Sequence, residues 1–386
     1  MNRRSFLLSA GAMAASLPLR AEPDVLRACV YGHTGRGGYG HGLDTCFKGM
    51  DNVTVVAVAD PDEKGREAAA KRIGVAKTYA SFAEMLDQEK PQLASHGPRW
   101  VEKRLEMLTI AAERGVDVYM EKPIALSLEE SDAIVAVTEK HRTKIVVAHQ
   151  YRLLPQMRHL KRRIDEGLIG QLLEVRTRGK EDHRSGGEDL MVLGTHCLYL
   201  MRFFAGDPLW CTARVTQDGR DITPEDRRAA TEPLGPIAGD TIHATYAFDK
   251  GVQGHFASQK VPKGEGGRFQ CALYGSRGIV QFDIGAEIPL VSYLPEPRWI
   301  PGKSAWQPLP DAPSNDHPSD LRGTTAANRS IVEELIRIRG TNDRSPVDIY
   351  EARATLEMIM AVYAAHLTGG RVTFPLKDRK HPLGSL

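Results

Sequence analysis

Long apolar runs are missing from this 386-residue chain, which has no stretch of 18 apolar residues. A membrane-spanning helix takes about 20 such residues, so no span is expected. An excess of charge of one sign is missing too. Lys and Arg number 51 against 49 Asp and Glu, a formal net charge of +2, and a general nucleic-acid surface is excluded on that ground. Cysteine is sparse: Cys29, Cys46, Cys197, Cys211 and Cys271 are scattered, with no CxxC pair. The odd count and the spacing argue against a disulfide framework and a zinc site, so no metal is expected. No internal repeat is found. What remains is ordinary globular composition, 41% apolar and 26% charged, with length enough for two domains and a sizeable core.

The first residues are set apart. Asn2-Arg3-Arg4-Ser5-Phe6-Leu7-Leu8 is a twin-arginine pattern, followed by an apolar, small-residue run to Leu17 and by Ala21 before Glu22. It predicts a signal peptide over 1–23 and export to the periplasm. Leu19 matches a small-residue cleavage motif poorly. The plain alternative is a basic, unstructured N-terminus.

From residue 24 to 150, strands and helices alternate. Leu26 to Tyr31 and Val53 to Ala59 read as strands, with a helix expected between them after Gly38. Leu93 to Ser95, Val116 to Met120 and Lys144 to Ala148 continue the series. Helices fall at 63–71, 102–114 and 128–141, the last with Ser127 and Glu130 as a capping box. Such alternation predicts an N-terminal Rossmann domain, a doubly wound parallel sheet. From 151 to 386 the texture is that of an α+β domain with a large open, mainly antiparallel sheet. Leu172 to Arg178 and runs near 211–215, 241–248, 251–258, 269–274 and 278–282 read as strands. A buried helix spans 193–204, a Pro-rich loop 295–325, and amphipathic helices 329–339 and 350–367, the last free to pack back on the first domain.

Two stretches carry chemistry. Gly32-His33-Thr34-Gly35-Arg36-Gly37-Gly38 follows the first strand at once. Gly32 and Gly37 are spaced as the outer glycines of a dinucleotide loop, with Thr34 at the middle position and Gly35 beside it. Asp60 ends the second strand, where an acid accepts hydrogen bonds from an adenosine ribose and disfavours a 2′-phosphate. NAD is therefore expected over NADP, although Asp60 is also an ordinary turn residue before Pro61. The second stretch is Glu121-Lys122-Pro123, at the exit of a short buried strand, where ligands bind in open α/β sheets. A lysine there is placed to hold a proton or polarise a hydroxyl; a lysine after a strand is more commonly a solvated surface residue.

Together these pieces resemble the glucose–fructose oxidoreductase and inositol dehydrogenase family (Gfo/Idh/MocA). Glu166-Gly167-Leu168-Ile169-Gly170-Gln171 looks like the family's link into its second domain. Leu193-Gly194-Thr195-His196 looks like its G-x-H segment, and Gly369-Gly370-Arg371-Val372 with Pro375 like its last strand. The resemblance implies a nicotinamide cofactor beside Glu121 and Lys122, with Gly32, Thr34, Gly35, Arg36, Gly37 and Asp60 around it. It implies Lys122 and His196 as catalytic groups, with the imidazole as the natural acid/base, and pairing of subunits through the second sheet. Glucose–fructose oxidoreductases of the family also carry twin-arginine signals. The family's acids flanking this His are replaced by Val192 and Tyr199, so Tyr199 is a candidate phenol or a packing residue. His149, Gln150 and Arg152, at the same sheet end as Lys122, are expected to contact substrate or the nicotinamide. Glu181, Asp182 and His183, in the polar run after Arg178, are candidates to bind sugar hydroxyls, to act as acid or base, or to hold a divalent metal; that run also reads as a solvated loop. His317 and Asp320 are weaker candidates.

An exported dehydrogenase meets no free NAD pool, so its cofactor must stay bound and be recycled in place. The reading is an exported NAD(P)-dependent oxidoreductase acting on a sugar, sugar derivative or glycoside. A redox-neutral NAD-dependent glycoside hydrolase or lyase, and a lapsed nucleotide- or sugar-binding protein, are the alternatives.

Overall fold

A computed structural model describes residues 25–262, 267–285, 290–313 and 324–385. The proposed signal peptide, His317 and Asp320 lie outside them. The first sheet has strands β1 (Leu26–Tyr31), β2 (Val53–Ala59), β3 (Thr78–Tyr79), β4 (Leu93–His96), β5 (Asp117–Met120) and β6 (Ile145–Val147). All pair in parallel in the order β3-β2-β1-β4-β5-β6, the doubly wound arrangement expected. The two-residue β3 has no sequence signal of its own.

Successive side chains of β1 point to opposite faces, as strand geometry requires. Cys29 and Tyr31 join the core under α2 (Phe82–Glu89), α3 (Arg104–Glu113) and α4 (Leu128–His141). Ala28 and Val30 join a core built with Leu43, Phe47, Ala69 of α1 (Glu63–Ile73), and Ile331, Val332 and Leu335. Those last three belong to a helix reached only after the second domain, and each contributes about 1.5–3 kcal/mol by burial.

The helix expected after Gly38 is not formed. Residues 33–50 run through turns with one 3₁₀ turn at Leu43–Thr45. Gly37, Gly38, Gly40 and Gly42 all have positive φ, which right-handed helix cannot use. Gly40 is fixed by contact as well: a Cβ there would lie 2.5 Å from Glu121 Cγ and 2.7 Å from the Gly97 carbonyl oxygen. The segment is shaped to touch the end of β5.

The capping box at α4 is half as expected. Ser127 accepts from the Glu130 N–H at 3.2 Å, but the Glu130 carboxylate accepts from the N–H of Leu126, not Ser127, at 2.8 Å.

After α5 (Pro155–Asp165) the chain enters a second, mixed sheet. Its strands are β7 (Leu172–Arg178), β8 (Pro208–Gln217), β9 (Thr241–Phe248), β10 (Gln253–Gln259), β11 (Gln270–Gly275), β12 (Ile279–Asp283), β13 (Ser292–Leu294), β14 (Gln307–Pro308) and β15 (Val372–Thr373). The order is β14-β13-β12-β11-β7-β10-β9-β8-β15; only β7 and β10 pair in parallel. Short α6 (Gly187–Val192) leads into α7 (Gly194–Ala205). Helix α8 (Thr324–Ile338) returns to β5 and β6 of the first sheet, and α9 (Ile349–Thr368) lies between α7, β8 and α4. The second sheet's other face holds a concavity of about 600 Å³ lined only by strand residues, among them Arg176, Arg214, His243 and Tyr274.

Candidate active site

Loops leaving the C-terminal ends of β1, β4, β5 and β6 meet at one end of the first sheet. Facing them are the start of α7 and the loop after β7, and a cavity of about 250 Å³ lies between the two groups. Lys122 lines it, only 5% exposed. Its Nζ donates to the Val192 carbonyl at 2.9 Å. The position where the resemblance leads to an acid thus supplies a main-chain acceptor. Burial pushes the ammonium pKa down, against the fields of Glu121 and Glu232 and with those of Arg99 and Arg184.

Glu121 is fully buried. Its Oε1 accepts from the His41 N–H at 2.7 Å and lies 2.6 Å from His41 Nδ1, and its Oε2 accepts from the Lys122 N–H at 3.1 Å. Burial alone would raise its pKa; the His41 hydrogen bond and charge, with Lys122, outweigh that and hold it at about 2. His41 was not singled out in the sequence, where its one signal is a titratable side chain inside a glycine-rich loop.

His196, on the first turn of α7, lines the same cavity. Its ring packs edge-on to His149 with centroids 5.7 Å apart. Burial, then the charge of Lys122, pushes its pKa well below the usual range, so the ring is neutral at pH 7. His149 is buried behind it, pushed to about 3 by burial and Lys122, with Nε2 2.9 Å from Thr195 Oγ1. Gln150 reaches the cavity and donates to Asn328 Oδ1 at 3.0 Å. Asn328, on α8, also accepts from Tyr119 Oη at 2.7 Å and donates to the His41 carbonyl at 2.9 Å. One buried amide thus ties β5, the loop after β6 and the glycine-rich segment together.

Arg104 does the same from the other side. Fully buried, it donates to the carbonyls of Glu121, Pro123 and Pro98, the last two at 2.8 and 3.1 Å. Neither Asn328 nor Arg104 has a sequence signal, because each acts across a long separation on main-chain or amide groups.

Other expected residues fall elsewhere. Tyr199 is buried, stacked on His149 and hydrogen-bonded to the Pro346 carbonyl, outside the cavity. Arg152 is ion-paired with Glu351 at 2.5 Å. Glu181 is buried and bridges Arg178 and Arg268, which makes it a brace of the second sheet. Asp182 grips Arg184, and both Asp182 and His183 face a separate surface concavity. Conversely, Arg99, Tyr151, Lys180, Arg184 and Phe269 line the cleft.

The glycine loop fits a dinucleotide in part. Thr34, Gly35, Arg36 and Gly37 are exposed, and a Cβ at Gly35 would meet nothing within 4 Å, so the backbone is open to a phosphate. Gly32 is buried against the Tyr39 ring. Asp60 is fully buried, and its carboxylate accepts from the Thr34 N–H (3.0 Å), Thr34 Oγ1 (2.8 Å) and the Asp62 N–H (3.0 Å). Here the acid shapes the loop; the ribose contact expected of it is occupied by Thr34.

A parallel sheet with a glycine loop, a buried Glu-Lys pair at its C-terminal edge and a histidine delivered by a second domain define a nucleotide-dependent redox scaffold. Residues 26–149 match the family model for the oxidoreductase family with an NAD-binding Rossmann fold, and residues 157–281 that for the GFO/IDH/MocA C-terminal domain. The chain belongs to the Gfo/Idh/MocA family, and its first domain is an NAD-binding Rossmann domain. It is similar to D-apiose dehydrogenase of Paraburkholderia graminis, 28% identical over 193 residues that cover 47% of this chain and 50% of that protein. The chain spans about half the length of the curated relatives it matches. Among solved structures, a levoglucosan dehydrogenase in complex with NADH and levoglucosan superposes with a TM-score of 0.73 at 18% identity, covering 91% of this chain and 99% of that one. An aldose–aldose oxidoreductase from Caulobacter crescentus complexed with glycerol gives 0.70 at 17%, covering 90% and 99%. These two likenesses establish the fold.

Proposed function

We propose that the protein is an exported NAD-dependent oxidoreductase acting on a sugar or sugar derivative. One observation carries the reading: Lys122 Nζ is desolvated, tethered to the Val192 carbonyl, and shares a cavity with the neutral ring of His196. When bound, NAD supplies the hydride acceptor or donor. The chain's own groups do the rest. Lys122 has donors left to hold a substrate oxygen, and the neutral imidazole of His196 takes or returns its proton. Glu121, pinned by His41, fixes the Lys122 backbone. Leu154, Val192 and Phe269 give the cavity an apolar wall against the C–H face of a sugar ring. The relatives' names, D-apiose and levoglucosan dehydrogenase, point to the same substrate class.

A second reading is favoured by the absence, among the described residues, of a carboxylate beside His196: redox-neutral cleavage of a glycoside, with transient oxidation. Export rests on Arg3-Arg4 and the apolar run behind them. Pairing of two chains through the strand-lined face of the second sheet follows family expectation, with light scattering as its check.

The deciding experiment is to denature the purified protein and assay the supernatant for NAD. A protein that releases no NAD and binds neither NAD nor NADP sinks both readings. Release of nitrophenol from glycosides without net NADH selects the second.

A further inference from the structure

The cleft is more cationic than a neutral sugar requires. Among the described residues that line it are Arg99, Lys122, Lys180 and Arg184, and the one carboxylate among those described residues, Glu121, is already held by His41 at 2.6 Å. The cations are not equally engaged. Arg184 spends Nε and Nη2 on Asp182 at 3.1 and 2.7 Å. Arg184 and Arg99 share Glu232 at 3.4 and 3.5 Å, long for ion pairs, and Arg99 Nε is buried with no partner. Lys180 Nζ lies 3.7 Å from Asp182, beyond hydrogen-bond reach.

Lys180 is nonetheless built into place. The buried Asp189 carboxylate accepts from the N–H groups of Lys180 and Glu181 at 3.2 and 3.0 Å and from Ser258 Oγ at 2.6 Å. A Cβ on the preceding Gly179 would strike that carboxylate at 2.0 Å. A braced backbone thus presents a half-exposed ammonium with open donors. It shares the cavity with Arg99 and with the apolar Phe269 and Ile284.

We propose that the substrate is an anionic sugar, its carboxylate or phosphate held by Lys180 and Arg99 while a ring hydroxyl meets Lys122 and His196. An anion matches open charged donors that a hydroxyl leaves unmatched, and such charge-assisted bonds are the strong ones in a partly desolvated site. The proposal rests on the oxidoreductase reading only for the identity of the reacting end.

The test is calorimetric binding to the full-length protein saturated with NAD, using glucose, glucuronate, gluconate and glucose 6-phosphate, with nicotinamide absorbance followed in parallel. At least one anion is expected to bind about tenfold to a hundredfold tighter than glucose, the size of one charge-assisted contact. Lys180→Met is expected to bring that ratio near one, and Lys180→Arg to keep most of it. The uronate and phosphate arms tell the two anion sources apart. Equal binding of glucose and all three anions, or a ratio untouched in Lys180→Met, overturns the proposal. Anion binding with no absorbance change under any sugar leaves the site standing and removes the redox reading. Reduction by glucose as good as by any anion does the reverse.

Discussion

Replacing Arg104 with Met tests how the loop that carries Lys122 is held. Arg104 is fully buried and forms hydrogen bonds only to carbonyls: Glu121, Pro123 at 2.8 Å and Pro98 at 3.1 Å. Burial lowers its pKa to about 10, against the fields of Glu121 and Glu130, so it is charged at neutral pH. Met fills the space but donates nothing. Three buried carbonyls then lose their donor, at roughly 1–3 kcal/mol each. Removing a buried cation with no carboxylate bound to it recovers several kcal/mol. A net loss of about 2–4 kcal/mol is expected. At about 2–4 °C per kcal/mol for a chain of this order, Tm falls by roughly 4–16 °C. Lys122 follows one of the freed carbonyls, and displacing a catalytic group by about 1 Å costs up to ~100-fold in turnover. Differential scanning calorimetry gives the first number and steady-state kinetics the second. A variant melting within about 1 °C of the parent, with turnover intact, refutes the idea that these three bonds hold the loop.

Lys122→Met should lower turnover by about 10²–10⁴ without lowering Tm, since it removes a desolvated ammonium with one backbone bond; a lower Tm would mean the lysine is structural. Tyr199→Phe should keep turnover and lose about 1 kcal/mol, because the hydroxyl binds the Pro346 carbonyl and Arg152, both outside the cavity; lost turnover would restore it as a catalytic phenol. Asp60→Asn should weaken NAD binding measured by calorimetry, as the Thr34 N–H and hydroxyl lose a charged acceptor; unchanged affinity would show that the loop needs no brace. Acid stability is set in part by His96 and His149, both pushed to about 3, chiefly by burial. Unfolded histidine, near 6.5, takes up protons that the folded rings refuse, so this stability is present above about pH 6.5 and is lost as pH falls toward about 3. His96→Leu, whose parent ring has no partner for either nitrogen, should flatten the decline in urea titrations between those limits. An unchanged slope would clear His96 of the effect.

Local rules went a long way here. Strand–helix alternation, the Ser127 cap and the alternation of Leu172 to Arg178 depend on neighbours within a turn or a pleat, and they gave the fold class and most elements. Glu121-Lys122-Pro123 and His196 stood out in the sequence because each sits at a marked position, a strand exit and a helix start after glycine, and the fold brings Glu121, Lys122 and His196 to one cavity. The failures share a different cause. Residues 33–50 have a strand before and glycines within, a pattern that reads as a loop and helix; contact of Gly40 with Glu121 and Gly97 decides otherwise. Tyr199, Arg152 and Glu181 were drawn into the site because they are close in sequence to residues that are there. In a helix or strand, neighbours point to different sides, and these three point to Pro346, Glu351 and Arg268. Lys180, Arg99, Asn328 and Arg104 reach the site through contacts between elements far apart in the chain. No local pattern encodes such contacts, so composition and motif determined what kind of protein this is, while only tertiary packing decided which charges face the cavity.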